Sequence, residues 1–263
     1  MTQLEQRWLD YAWSVLNSPA EHRRECLANG SAVPGPGRVD GNDLRWPGYL
    51  GRDYEPASGV LCVGAVHREG NPANRDDGSV AERTDAELVA GAREWLTTGR
   101  SPTSDAGYLE SLRSSYQQAL PTWSRWQRHY RTLVEDYLGL DIGQIAWANL
   151  AKCRVAIDRG SAQRSAEGKL TRLCQRQFPA ADLIEVLRPA AVLVAVLRAR
   201  PGGGIVTSWG SESCAPLVFA WQGQSGHDRH NTAPGARRLA EWAPEAAAQI
   251  RARMSSAAAN GNG

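Results

Sequence analysis

Apolar residues along this chain fall either at helical spacing or in short unbroken runs, the pattern of a buried sheet covered by helices. Leu4, Trp8, Ala12, Val15 and Leu16 mark an amphipathic helix within residues 1–20. Residues 30–43, rich in Gly, Pro, Asn and Asp, then break regular structure, and Trp46-Pro47-Gly48 extends that loop. The run Gly59 to Gly64 reads as a first buried strand, and residues 67–82 as the loop it opens into. Thr84 and Glu87 form a capping box for a helix continued by Leu88, Ala92, Trp95 and Leu96 to Gly99. A second helix is expected from Tyr108 to Leu120. A third starts at Pro121, with Trp123, Trp126, Tyr130, Leu133, Val134, Tyr137 and Leu138 as its stripe. Ile145 to Leu150 and Ala190 to Leu197 read as further core strands separated by a helix from Leu173 to Leu187. Leu217 to Trp221 completes the set, before a helix from about Gly235 to Met254.

Strands alternating with helices predict an α/β fold, a three-layer α/β/α sandwich around a mostly parallel four-stranded sheet. A single domain over 1–254 is expected, with the helical insertion 99–140 included and 255–263 as a disordered tail without core-forming residues. The length of 263 residues and a hydrophobic content of 42% suffice for such a core.

Thirty Lys and Arg against 28 Asp and Glu leave a net charge of +2, so any nucleic-acid site has to be a local patch rather than a bulk field. Only Lys152 and Lys169 are lysine, so 30 − 2 = 28 of the cations are arginine, whose planar fork suits phosphates and base edges. The five cysteines are Cys26, Cys62, Cys153, Cys174 and Cys214, an odd and scattered set that does not form a disulfide framework. Glu5, Arg7 and Asp10 interrupt any signal-peptide core, and no 18-residue uncharged apolar stretch follows. The expectation is a cytoplasmic monomer that does not engage membranes.

Ligands of parallel sheets bind at the carboxyl ends of the strands. Those places read Gly64-Ala65-Val66-His67-Arg68-Glu69 with Asn74-Arg75, then Asn149-Leu-Ala-Lys152-Cys153-Arg154, and last His227-Asp228-Arg229-His230-Asn231-Thr232. The order of these motifs resembles the uracil-DNA glycosylase superfamily, above all its families 4 and 5. Asn149 to Arg154 is similar to that family's Asn-Val-Val-Lys-Cys-Arg, and Cys174 followed by Leu187-Arg188-Pro189 is similar to what comes next there. Pro72-Ala73-Asn74-Arg75 is similar to the family 5 Gly-Ala-Asn-Arg. His227 to Thr232 looks like its His-Pro-Ser-x-x-Asn-Thr, with Pro and Ser replaced. After the first strand the family has Gly-Glu-Ala-Pro-Gly or Gly-Leu-Ala-Pro-Ala, so Ala65 occupies the place of the family 4 carboxylate.

The resemblance implies a glycosylase acting on a flipped uracil-like or modified base in DNA. Asn149 would read the base, because its amide offers one acceptor and two donor hydrogens to an oxo-base edge. His227 would donate to the departing base anion, and Arg229 would fill the gap in the duplex. Gly64, Ala65, His67 and Asn74 complete the expected substrate-binding set. Each residue also has a plainer reading. Asn149 can satisfy strand-end backbone, His227 and His230 can form a surface pair or an incomplete zinc site, and His67 with Glu69 can either position water or belong to a solvated loop. Trp46 and Trp209 fall in loops, where either could stack on a base.

Families 4 and 5 hold a 4Fe-4S cluster on four cysteines. Cys153 and Cys174 match the later two, but the early C-x-x-C pair is missing, so no cluster and no other cofactor is expected, and both thiols are expected to be buried. Two other readings remain open: hydrolysis of free nucleotides or nucleosides, and a non-catalytic member that binds bases or nucleic acid.

Overall fold

The computed structural model describes residues 1–16, 47–64, 67–68, 106–107, 109–110, 113–114, 130–152, 154–155, 171–194, 199–200, 203–204, 209–211, 213–220 and 239–260. The chain opens with helix α1 (Gln3–Leu16). The Glu5 N–H donates to Thr2 Oγ1 at 3.2 Å while the Thr2 N–H donates to Glu5 Oε2 at 2.7 Å, so the first turn is closed reciprocally.

A five-stranded sheet forms the centre. Its strands are β1 (Tyr49–Leu50), β2 (Val60–Gly64), β4 (Ile145–Asn149), β6 (Ala191–Val194) and β9 (Leu217–Ala220), in the order β1-β4-β2-β6-β9, while β3 (His67–Arg68) pairs with β5 (Arg154–Val155) and β7 (Ala199–Arg200) with β8 (Gly203–Gly204) in two small sheets. All neighbours are parallel except β1, which pairs antiparallel with β4. The connection from β2 leads to β4 on one side and that from β6 leads to β9 on the other, a reversal of the kind that opens a crevice at the carboxyl ends of the strands.

The expected strands are therefore present, with a fifth added. Tyr49-Leu50 is too short to show in a periodicity pattern and exists because tertiary contacts hold it. Tyr49 Oη donates to the Ile142 carbonyl at 3.0 Å, and the buried Arg113 guanidinium donates to the carbonyls of Leu50 and Gly51. Arg113 also bridges Glu110 and Glu5 at 2.6 and 2.9 Å, tying the sheet edge to α1.

The central strands are apolar on both faces, and strand alternation sorts them. Leu61, Val63, Ala146, Ala148, Val192 and Val194 pack with Trp8, Leu9, Ala12 and Val15 of α1 and with Leu183, Ile184 and Leu187 of α2 (Ala180–Leu187). Val60, Cys62, Ile145, Trp147, Ala191 and Leu193 pack on the other side, against Leu133, Val134 and Leu138 and against Ala243, Ala247 and Ile250 of α3 (Leu239–Asn260).

Three expectations change. The helix expected from Leu173 to Leu187 is two pieces, residues 171–177 and α2, because Pro179 lacks an N–H and drives the residue before it out of helical conformation. Gln175 spans the break, donating to the Leu150 and Phe178 carbonyls and accepting from the Ala180 N–H. The stripe expected as the third helix is wound as a π-helix over Thr132–Leu138, which ends at Gly139 in the left-handed conformation (φ 70°). Finally, the segment expected to be disordered from 255 continues α3 as far as Asn260. Its alanines favour a helix without burial, and Ser256 Oγ bonds the Ala252 carbonyl. The helix expected at 84–99, together with Trp123 and Trp126, lies outside the described residues.

Candidate functional site

The strand register brings two of the expected residues together. β2 and β4 run in parallel with Gly64 opposite Asn149, the last residue of each strand. The Leu150 N–H then donates to the Gly64 carbonyl at 2.9 Å, continuing the ladder one step beyond the strands. The half-buried Asn149 amide lies directly over Gly64, so that a Cβ there would overlap Asn149 Oδ1. Glycine at position 64 is therefore a steric condition for this placement of the amide. Among the described residues the Asn149 side chain makes no hydrogen bond, which leaves its donors and acceptor available to a ligand edge.

Aromatic residues border the same corner. Trp147, two positions before Asn149, shares its face of β4, and its Cζ2 is 3.6 Å from where a Gly64 Cβ would sit. Tyr130 meets the Trp147 ring edge-on, with centroids 4.6 Å apart, and its hydroxyl bonds the Val63 carbonyl. Sequence reasoning assigned Tyr130 to a helical stripe and Trp147 to a strand. Their position beneath Asn149 follows from strand parity and from the way the π-helix lies on the sheet.

Beyond the central sheet both strands pair again. β3 (His67–Arg68) and β5 (Arg154–Val155) form a small parallel sheet with His67 opposite Arg154. The register thus carries the first expected loop and the Lys-Cys-Arg segment forward side by side. Ala65, Asn74, His227 and Arg229 lie outside the described residues, as do Cys26, Cys153 and Trp46.

Cys174 is buried, as expected of it, and Cys62, Cys174 and Cys214 are not in disulfides. Burial pushes the Cys62 thiol well above its ordinary pKa, so it stays protonated. No group of three or more His, Cys, Asp or Glu side chains suited to a metal ion occurs among the described residues. Trp209 does not take the stacking position that its loop left open to it. It is 4% exposed and packs in the core with α1 and α2, so it is not a surface platform for a base.

On the opposite face of the sheet lies a second feature that sequence reasoning quoted without giving it a role. Lys152, three residues beyond Asn149, is 2% exposed, and its ammonium sits 5.5 Å over the ring of Tyr11. Burial lowers its pKa from 10.5 to about 8. The signal was there to be read: one of only two lysines in an arginine-rich chain stands inside an otherwise apolar strand end.

No protein-family model matches this chain, and no curated protein does. No helix among the described residues is long and apolar enough to cross a membrane.

Proposed function

We propose that this protein hydrolyses the N-glycosidic bond of a flipped uracil-like or modified base in DNA, on a three-layer α/β/α domain. The observation that carries the reading is the Gly64–Asn149 corner. There an amide without a hydrogen-bond partner among the described residues stands at the carboxyl ends of two adjacent parallel strands, above a residue that must be glycine and beside a buried indole. That is a suitable place to read one edge of a planar base while an aromatic group limits its other side.

The chemistry assigned to the corner is electrostatic. Breaking the bond between base and sugar leaves negative charge on the base oxygens, so donors held in place before the reaction lower the barrier. Asn149 bonds the O4 and N3–H edge, His227 donates toward O2, and Arg229 fills the space vacated in the duplex. Gly64, Ala65, His67 and Asn74 line the approach. A water attacks the anomeric carbon, its proton passes to solvent, and the base leaves as the stabilised anion. The proposed enzyme needs no organic cofactor or metal for this step.

The test incubates the protein with single- and double-stranded oligonucleotides containing uracil, hypoxanthine, xanthine or a mismatch, and scores alkali-labile abasic sites against Asn149→Ala. Abasic sites that depend on Asn149 are the expected result. Intact strands with every base would refute the glycosylase reading and favour free nucleotides or a silent base-binding protein.

A further inference from the structure

The buried lysine lies on a small cavity under the sheet. Lys152 and Tyr11 line it with Leu61, Val63, Phe178 and Leu183, and its volume is about 10 Å³, the room needed by one water-sized occupant. By strand alternation Leu61 and Val63 belong to the α1 face, and Asn149 joins the wall at the strand end, so the cavity adjoins the base corner.

Its polar side chains are those of Lys152, Tyr11, Gln175 and Asn149. The Lys152 ammonium has no carboxylate or carbonyl partner among the described residues, and the ring of Tyr11 covers it on one side. The buried Tyr11 hydroxyl has no hydrogen-bond partner among the described residues. Gln175 also lines the cavity, but its amide is committed to Leu150, Phe178 and Ala180. Pro179 and Ala180 bring the amino end of α2 to the wall, which adds the positive end of a helix dipole. Cys174, in residues 171–177, interacts electrostatically with Lys152 and Tyr11, and the exposed Asp182 carboxylate in the first turn of α2 acts on the Tyr11 hydroxyl.

A cation taken out of water without a counter-charge is strongly unfavourable, and the cation–π contact offsets only part of that. A water molecule would leave the charge uncompensated. A halide needs donors alone and cancels the single positive charge, which sulfate and phosphate would over-compensate.

We propose that the cavity beneath Lys152 and Tyr11 is a binding site for one small monovalent anion of the halide class.

Crystals of the full chain grown in sodium bromide and measured at the bromine absorption edge test this directly. The expected result is an anomalous peak between Lys152 Nζ and Tyr11 Oη that is lost in Lys152→Met. In solution, bromide at constant ionic strength against sulfate should raise the melting temperature of the wild type. Lys152→Met should weaken that halide dependence at least about tenfold, because the site loses its ammonium. Tyr11→Phe, a milder change that keeps the ring, should weaken it about threefold and serves if the lysine variant does not fold. A cavity without an anomalous peak, or a halide effect equal to that of sulfate, would overturn the proposal.

Discussion

Replacing Lys152 by methionine keeps the length of the side chain and removes only its buried charge, which allows the cost of that charge to be measured. In the folded protein the ammonium loses its proton at about 8 instead of 10.5, because burial disfavours the charged form. At about 1.4 kcal/mol for each tenfold change, the gap is a penalty of about 3 kcal/mol against folding. The sign follows from linkage. Below the folded value both states carry the proton and the penalty is complete. Between the two values the unfolded chain binds more protons than the folded one, so stability rises with pH until the unfolded lysine also titrates. Other groups act in the opposite direction at high pH, since burial raises the pKa of Tyr54 and Cys62, but they are common to both proteins and cancel in a difference. Urea unfolding of wild type and Lys152→Met in halide-free sulfate buffer therefore has a definite expectation. The variant should be the more stable by about 3 kcal/mol near neutral pH, with the advantage shrinking by about 2 kcal/mol as pH approaches 10. A constant difference across that range would show that Lys152 titrates normally in the fold, and would refute both its desolvation and the depressed pKa.

Four further outcomes are expected. Asn149→Asp should change which base is excised, and His227→Ala should slow base release by about 10²-fold, as loss of an oxyanion donor typically does; wild-type rates in both would remove the site assignment. Gly64→Ala should push the Asn149 amide off its position because the new Cβ overlaps Oδ1, so base excision should fall while the urea midpoint moves little. Arg113→Met should cost about 3 kcal/mol in urea unfolding, since Glu5 loses its buried partner and the carbonyls of Leu50 and Gly51 lose a donor; a change within error would show that the edge strand holds without the clamp.

The sequence by itself determined the parts of this protein in which local pattern and burial agree. Val60 to Gly64, Ile145 to Asn149, Ala191 to Val194 and Leu217 to Ala220 are short apolar runs, and a strand covered on both faces writes itself in that form. Helix α1 was legible because one face of it packs on the core, so its period survives in the residues. Asn149 and Gly64 could be singled out because they end such runs. Tertiary structure alone decided the rest. The two-residue β1 is too short for any pattern and is held by Arg113 and by the Tyr49 hydroxyl, from residues distant in sequence. The π-helix was hidden because seven residues are too few for the apolar spacing to tell one winding from the other. The register that sets Gly64 opposite Asn149 is a property of two strands together, and neither segment encodes it alone. The same holds for Lys152, whose altered chemistry exists only because α1, residues 171–177 and α2 close around it and exclude water.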